Sequence, residues 1–138
     1  MESVIEMQDM RYLNLFERVT QVTTRFCFKY NNMIFFCVPR VLMSKAIGNG
    51  GRNIKRINEI LGRKIKVIPM PIGIADAKIF IQNIVEPVTF KDLEIKGYEL
   101  ILNAGSQSKA ALIGRNKRRL FEMQKIVKDF FGKNFRIV

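Results

Sequence analysis

The middle of the N-terminal half reads Ala46-Ile47-Gly48-Asn49-Gly50-Gly51-Arg52-Asn53-Ile54-Lys55-Arg56. Apolar residues on both sides recur at helical spacing, so the glycines lie between a short helix and a longer one. Glycine populates positive φ without strain and carries no Cβ, so a phosphodiester can lie against the backbone of such a loop. The first amides of the following helix point outward at the positive end of its dipole, which attracts an anion. This stretch predicts a phosphate-binding joint between two helices.

The loop has a counterpart 66 residues further along the chain, where Ile113-Gly114 aligns with Ile47-Gly48. The loop and the apolar face of the following helix match at this offset. The terminal segments match at an offset of 70, which aligns Gly62 with Gly132. The second copy is therefore expected to have about one extra helical turn. The joint agreement of loop, helix face and terminal strand predicts a tandem duplication.

Outward from the loops, apolar periodicity and turn residues give both halves the element order α-β-β-α-α-β. The first helix begins either near Ser3, where Ser3-x-x-Glu6 resembles a capping box, or near Asp9. Residues 25–30 and 33–38 form a hairpin across Asn31-Asn32. The run 33–38 is continuously apolar, which indicates a strand that is buried on both faces. In the second half, residues 88–95 and 98–103 form a hairpin across Lys96-Gly97.

The basic residues are concentrated around the two loops. The chain contains 24 Lys and Arg against 12 Asp and Glu, a formal net charge of +12. Residues 39–68 and 109–138 each carry +7, whereas residues 1–38 are neutral and residues 69–108 carry −2. Clustered cations gain free energy by displacing the counterions of a polyanion. Two matched basic blocks, each built around a glycine loop, favour nucleic-acid contact over a merely solvated surface.

The composition argues against catalysis, a metal and any other cofactor. The chain has no His, the commonest general base and zinc ligand, and its two Cys are too few for a Cys-rich metal site. Glu94 and Glu99 come nearest to a paired carboxylate, and we interpret them as solvent-facing sheet residues. No apolar run approaches the ~18–20 residues of a membrane span. We expect a cytoplasmic protein that is not an enzyme, needs no cofactor and binds neither a membrane nor a small-molecule substrate.

The two cysteines, Cys27 and Cys37, lie on the two arms of the first hairpin. With a two-residue turn, Cys27 faces Phe36 and the two thiols point to opposite faces of the sheet. A three-residue loop would place the cysteines opposite each other and permit a disulfide. For a chain of this composition we expect buried free thiols.

The stretch 46–56 resembles the core of a KH domain, and α-β-β-α-α-β is the order of the prokaryotic, type II, KH fold. Two such units in a chain of this length resemble the archaeal NusA-like transcription termination/antitermination factors, and residues 12–17 and 80–87 are also similar to that family. The resemblance implies an α+β fold of two tandem type II KH domains, one over residues 1–70 and one over residues 71–138. A short linker rich in proline and glycine leads us to expect that the two domains pack rigidly.

The resemblance also implies a function. KH domains bind single-stranded RNA in a sequence-dependent way, with the loop holding backbone and a neighbouring apolar groove receiving bases. The family implies action on nascent RNA in transcription termination or antitermination, with RNA polymerase as a further partner. We expect the protein to be a monomer. The alternative is a ribosomal or ribosome-assembly KH protein that binds rRNA, which long basic tails would favour. The candidate RNA-binding residues are Lys45, Ile47, Gly48, Asn49, Gly50, Gly51, Arg52, Lys55, Arg56, Lys109, Gly114, Arg115, Asn116, Lys117, Arg118 and Arg119.

The second loop departs from the KH pattern, because Lys117 stands where the first loop has its closing glycine, Gly51. A lysine restricts the backbone and places a side chain where a bound strand would pass closest. It also adds charge beside Arg115 and Arg118. We hypothesise that the first loop clamps RNA backbone, while the second binds more electrostatically and less specifically.

Three aromatic residues, Tyr30, Tyr98 and Phe121, are candidates for stacking on bases. A KH groove is mostly aliphatic, so the sequence does not favour this role for any of them.

Overall fold

The computed structural model describes residues 7–138, and the described chain divides into two compact units between Met70 and Pro71. Each unit contains one three-stranded sheet together with helices, so the predicted α+β class is confirmed. Among residues 7–138, no helix combines the length and the apolar character that crossing a membrane requires.

The N-terminal unit follows the order α-β-β-α-α-β. Its elements are α1 (Met7–Thr20), β1 (Phe26–Tyr30), β2 (Met33–Val38), α2 (Met43–Ile47), α3 (Arg52–Leu61) and β3 (Ile65–Pro69). β2 is the central strand, antiparallel to β1 and parallel to β3. A parallel pair needs a long crossover connection, and α2 and α3 supply it. The predicted capping box at Ser3 and Glu6 lies outside the described residues.

The core of this unit forms where the helices cover the sheet. Phe16 of α1 stacks on Phe36 of β2 with ring centroids 4.4 Å apart, and Ile57 of α3 is completely buried in the same cluster. Burying a side chain of this size contributes roughly 1.5–3 kcal/mol to folding. Phe35 and Cys37, which flank Phe36 along β2 and face the other side of the sheet, are buried as well. The continuous apolar run therefore corresponds to a strand that is buried on both sides, as predicted.

The first hairpin has the two-residue turn that leaves the cysteines unpaired. Tyr30 is opposite Met33, and Asn31 and Asn32 have φ of 51° and 62°, which is typical of the primed turns that join twisted strands. Cys27 is consequently opposite Phe36, and both thiols are free, as predicted; Cys37 is buried, whereas Cys27 is half-buried.

The C-terminal unit has the same order of elements. They are α4 (Ala77–Val85), β4 (Asp92–Lys96), β5 (Glu99–Asn103), α5 (Lys109–Ile113), α6 (Arg118–Phe131) and β6 (Asn134–Ile137). β5 is the central strand, antiparallel to β4 and parallel to β6. α6 has 14 residues against 10 in α3, which agrees with the predicted extra turn. Both helices end at a left-handed glycine, Gly62 and Gly132.

The second hairpin differs from its prediction in register and length. Lys96 is opposite Glu99, so the turn is Gly97-Tyr98 rather than Lys96-Gly97. Gly97 takes a φ of 60° at the first central position, which is typical of a type II′ turn and explains the shift by one residue. β4 begins at Asp92, so the predicted start at residue 88 is wrong; the cis peptide bond at Glu86–Pro87 follows α4 directly.

Burial should make both cysteines poor nucleophiles. Loss of solvation raises the pKa of Cys27 to about 12, with the nearby Asp9 charge adding to the rise and Lys29 opposing it. Burial likewise raises the pKa of Cys37. At pH 8 both thiols are therefore protonated and inert, since the thiolate is the reactive form. We expect an aromatic disulfide reagent to label the native protein at least about 100-fold more slowly than the protein in guanidinium chloride. Rapid labelling of the native protein at pH 8 would contradict this packing.

Candidate nucleic-acid interface

The first glycine loop joins α2 to α3 through a single three-residue turn, Asn49–Gly51. Gly48 has φ 79° and ψ 165°, while Gly50 and Gly51 are left-handed, with φ/ψ of 62°/22° and 74°/21°. Within the loop, the Gly51 amide donates to the Gly48 carbonyl and the Arg52 amide donates to the Asn49 carbonyl. These bonds close the turn and leave Asn49 and Gly50 at its exposed apex.

A side-chain bridge behind the loop fixes the angle between the two helices. The Asn53 Nδ2 group donates to the carbonyl oxygens of Lys45 and Ala46, at 3.1 and 3.2 Å. These carbonyls belong to the last turn of α2, where intrahelical donors run out. A Cβ on Gly48 would lie 3.0 Å from Asn53 Cγ and 3.2 Å from the Asn53 backbone nitrogen. Gly48 is therefore required both by its φ and by the close approach of Asn53.

The second loop has the same backbone conformation with different residues. Gly114 has φ 77° and ψ 169°, and Asn116 and Lys117 take the left-handed values 55°/29° and 60°/22°. The amide of Lys117 donates to the Gly114 carbonyl, as Gly51 does to Gly48. The lysine thus leaves the loop backbone unchanged and takes on the conformational cost itself. A left-handed non-glycine residue costs roughly 1–2 kcal/mol.

The bridge behind the second loop is made by an arginine. The Arg119 Nη1 group donates to the Ala111 carbonyl at 3.0 Å, in the place of the Asn53 bridge. A Cβ on Gly114 would lie 2.9 Å from Arg119 Cγ, so Gly114 repeats the requirement at Gly48. Arg119 is half-buried, unlike the other cations of this loop. The sequence alignment places Arg119 over Asn53, but charge alone made it a candidate RNA contact, and its supporting role becomes apparent only from the geometry.

The other candidate residues lie around the two loops, and most are exposed. Ile47, Gly48, Gly51 and Gly114 are half-buried, and Ile47 packs against the core of its unit. The exposed candidates are Lys45, Asn49, Gly50, Arg52, Lys55, Arg56, Lys109, Arg115, Asn116, Lys117 and Arg118. Neither of the ion pairs whose distances are measured among residues 7–138, Lys78–Asp92 and Arg136–Glu99, involves a cation of the loops.

The two carboxylates singled out in the sequence do not form a metal centre. Arg136 Nε donates to Glu99 Oε2 at 2.9 Å, across the parallel pair β5–β6. Glu94 is exposed on β4, opposite Ile101. Within the described residues, no three His, Cys, Asp or Glu side chains come together in a way that could hold a metal ion.

Known proteins are similar to this chain over most of its length. The probable transcription termination protein NusA of Methanococcus vannielii is 28% identical over 136 residues, which cover 95% of this chain and 77% of that protein. The protein of the same name from Methanocaldococcus jannaschii is 26% identical over 125 residues, which cover 88% of this chain and 67% of that protein. The crystal structure of APE1850 is similar with a TM-score of 0.67 and 25% identity, over 97% of this chain and 99% of that one. No protein-family model matches the chain.

Exchanging the closing residues of the two loops should move stability in opposite directions. Lys117→Gly relieves a left-handed lysine and is expected to stabilise the C-terminal unit by about 1 kcal/mol. Gly51→Lys imposes the same conformation on a lysine in the N-terminal unit and should destabilise that unit by about 1 kcal/mol. A lysine at Gly51 would meet open space, because nothing lies within 4 Å of a Cβ built there, and Lys117 is exposed. Amide hydrogen exchange, followed separately for α3 and α6, measures both changes. A loss of stability on Lys117→Gly would contradict the claim that the left-handed conformation of Lys117 is strained.

Proposed function

We propose that this chain, a NusA-like protein of the archaeal type, binds single-stranded RNA through its two loops and acts on nascent RNA in transcription termination or antitermination. The observation that carries the proposal is the pair of loops with one backbone conformation, each surrounded by exposed cations. Cations around a single turn are common on solvated surfaces. Two copies of the same left-handed turn, each within a block of net charge +7, support a shared ligand.

The proposal includes the fold assignment that the resemblance implies. The order α-β-β-α-α-β, with the glycine loop between the second and third helices, supports two tandem type II KH domains over residues 1–70 and 71–138. In each unit the loop follows a central strand and precedes an edge strand that is parallel to it. The body of the unit can therefore hold the loop rigidly while its apex stays in solvent.

In the proposed complex, the loop apex holds a phosphate of the RNA backbone. Gly50 carries no side chain, so an oxygen of the phosphodiester can approach the main chain at the apex. The N-terminus of α3 lies directly behind, and its dipole favours negative charge there. Arg52, Lys55 and Arg56 surround the site with exposed cations. Ile47, half-buried beside the loop, is proposed to belong to the apolar wall against which a base rests.

In the second unit, a loop with the same backbone conformation is proposed to bind RNA mainly through its cationic side chains. Asn116 and Lys117 replace two glycines without altering the turn. Their side chains limit how closely an RNA strand can approach the loop backbone. Arg115, Lys117 and Arg118 supply charge that does not depend on close backbone contact. Contacts of this kind position a nucleic acid without reading its sequence. This unit is therefore proposed to bind RNA less specifically than the first.

The names of the relatives favour a role in transcription over the ribosomal alternative. RNA polymerase is accordingly proposed as a further partner of a monomeric protein.

Single-stranded RNA should bind in a strongly salt-dependent manner, because phosphate contacts release counterions. We expect a log–log salt slope of about −2 or steeper, which corresponds to roughly three or more neutralised phosphates. Fluorescence anisotropy with a labelled single-stranded RNA, and with duplex DNA of the same sequence, measures both the slope and the preference. A flat salt response, or tighter binding of the duplex, would overturn the proposal.

Placing a carboxylate on one loop at a time distinguishes the contributions of the two units to RNA binding. Gly50→Asp fits the left-handed backbone, which aspartate tolerates, and should weaken RNA binding on the order of tenfold by repelling phosphate. Asn14→Asp adds the same charge at an exposed position of α1 and serves as the matched control. The RNA affinity of this variant should be unchanged. Lys117→Asp should alter sequence preference less than Gly50→Asp, and its cost in affinity should fall more steeply as the salt concentration rises. The reverse order would contradict the division of roles between the loops.

A further inference from the structure

Helix α6 exposes a large aromatic side chain among cations. Phe121 is 57% exposed, and it is the one large apolar side chain described as exposed between Arg118 and Phe131. It takes the place of Lys55, which lies at the same position after the first loop. Covering an exposed phenylalanine with a partner is favourable, because it removes apolar surface from water. The exchange therefore replaces a charge with an apolar plane at a fixed distance from the loop.

The exposed neighbours of Phe121 on the helix surface are basic, whereas Gln124, three residues after it, is half-buried and donates to the Phe135 carbonyl. Lys117 and Lys125 are four residues before and after it, and Arg118 and Lys128 are three before and seven after it. Residues at these spacings share one face of a helix, and all four are exposed. The two carboxylates of α6 are Glu122, half-buried, and Asp129, near the far end. In α3 the corresponding positions are Gly51, Lys55 and Glu59, so this cation–aromatic face belongs to the second unit alone of the two.

We propose that this face of α6 is a stacking platform, on which Phe121 receives a nucleobase of the single strand whose phosphates contact the second loop. The inference rests on the proposed RNA binding and adds a base contact outside the glycine loops. Stacking between a base and an aromatic ring is tolerant of sequence, and cations on either side hold the flanking phosphates. In the second unit, the base contact at Phe121 thus compensates for the close backbone contact that the side chains of its loop hinder.

Charge decides between a nucleic acid and a protein as the occupant. A helix that docks into a protein groove presents apolar anchors three, four and seven residues apart. Around Phe121 none of those positions carries an apolar side chain: they are Arg118 and Gln124, Lys117 and Lys125, and Gly114 and Lys128. A single ring framed by four cations is complementary to a base framed by phosphates.

The chain contains no Trp, so Phe121→Trp introduces a single indole reporter into this chain. We expect a mixed-sequence single-stranded RNA 12-mer to quench this emission, because stacked bases quench indole. Inorganic polyphosphate, which supplies charge without bases, should leave the emission nearly unchanged. Ile60→Trp is the matched control, because Ile60 is similarly exposed, at 54%, on α3. Its emission should respond much less to the RNA.

Two further variants separate stacking from simple apolar contact. Phe121→Leu and Phe121→Ala should both weaken RNA binding, measured by anisotropy, by about tenfold. Neither should change the affinity for polyphosphate. Near-wild-type RNA affinity of Phe121→Leu, or equal quenching of Phe121→Trp by polyphosphate, would overturn the platform while leaving RNA binding by the loops intact. Emission that ignores RNA but shifts to the blue with purified archaeal RNA polymerase would overturn it in favour of a protein contact. Failure of the wild-type protein to bind RNA would overturn both proposals, and it would appear before any variant is made.

Discussion

The arrangement of each loop depends on one side-chain bridge between two helices. Asn53 in the first unit and Arg119 in the second donate to carbonyl oxygens at the end of the preceding short helix. The bridge satisfies acceptors that the short helix cannot. Gly48 and Gly114 combine a positive φ with an extended ψ, a region essentially restricted to glycine, and a Cβ there would lie 3.0 and 2.9 Å from the Cγ atom of the bridging residue. The sharp joint then projects the next two residues into solvent. An amide and a guanidinium thus perform the same task, which explains how the loop geometry persists while the loop sequence changes.

This constraint separates the residues that build the joint from those that are free to contact a ligand. Gly48, Asn53 and their counterparts are fixed by packing, whereas the apex positions meet open space and accept glycine, asparagine or lysine. The second unit accepts the cost of two left-handed side chains and gains charge at its apex. Strain retained at an exposed and basic turn is typical of a functional position. The proposed division of labour, a close backbone contact in one unit and a charged contact with an aromatic platform in the other, follows from that exchange.

Much of this could be predicted from the sequence, and the exceptions have physical causes. The α+β class, the two-residue turn at Asn31-Asn32 and the extra turn of α6 were readable because periodicity and turn chemistry are local signals. The register at Gly97-Tyr98 was not, because a lone glycine can occupy either central position of a hairpin turn. The supporting role of Arg119 was hidden as well, since an arginine in a basic run resembles its neighbours until its partner at Ala111 is known. The unchanged backbone at Lys117 is likewise a tertiary effect, imposed by the bridge against the preference of the residue.

The central claim is that both joints present the same backbone to phosphate. Titrating uniformly ¹⁵N-labelled protein with a single-stranded RNA, at low and then at raised salt, tests it most directly. The account predicts amide shift changes centred on residues 48–52 and 114–118, with the second set weakening more as the salt rises. Shift changes that avoid both loops, or that involve only one of them at low salt, would contradict it.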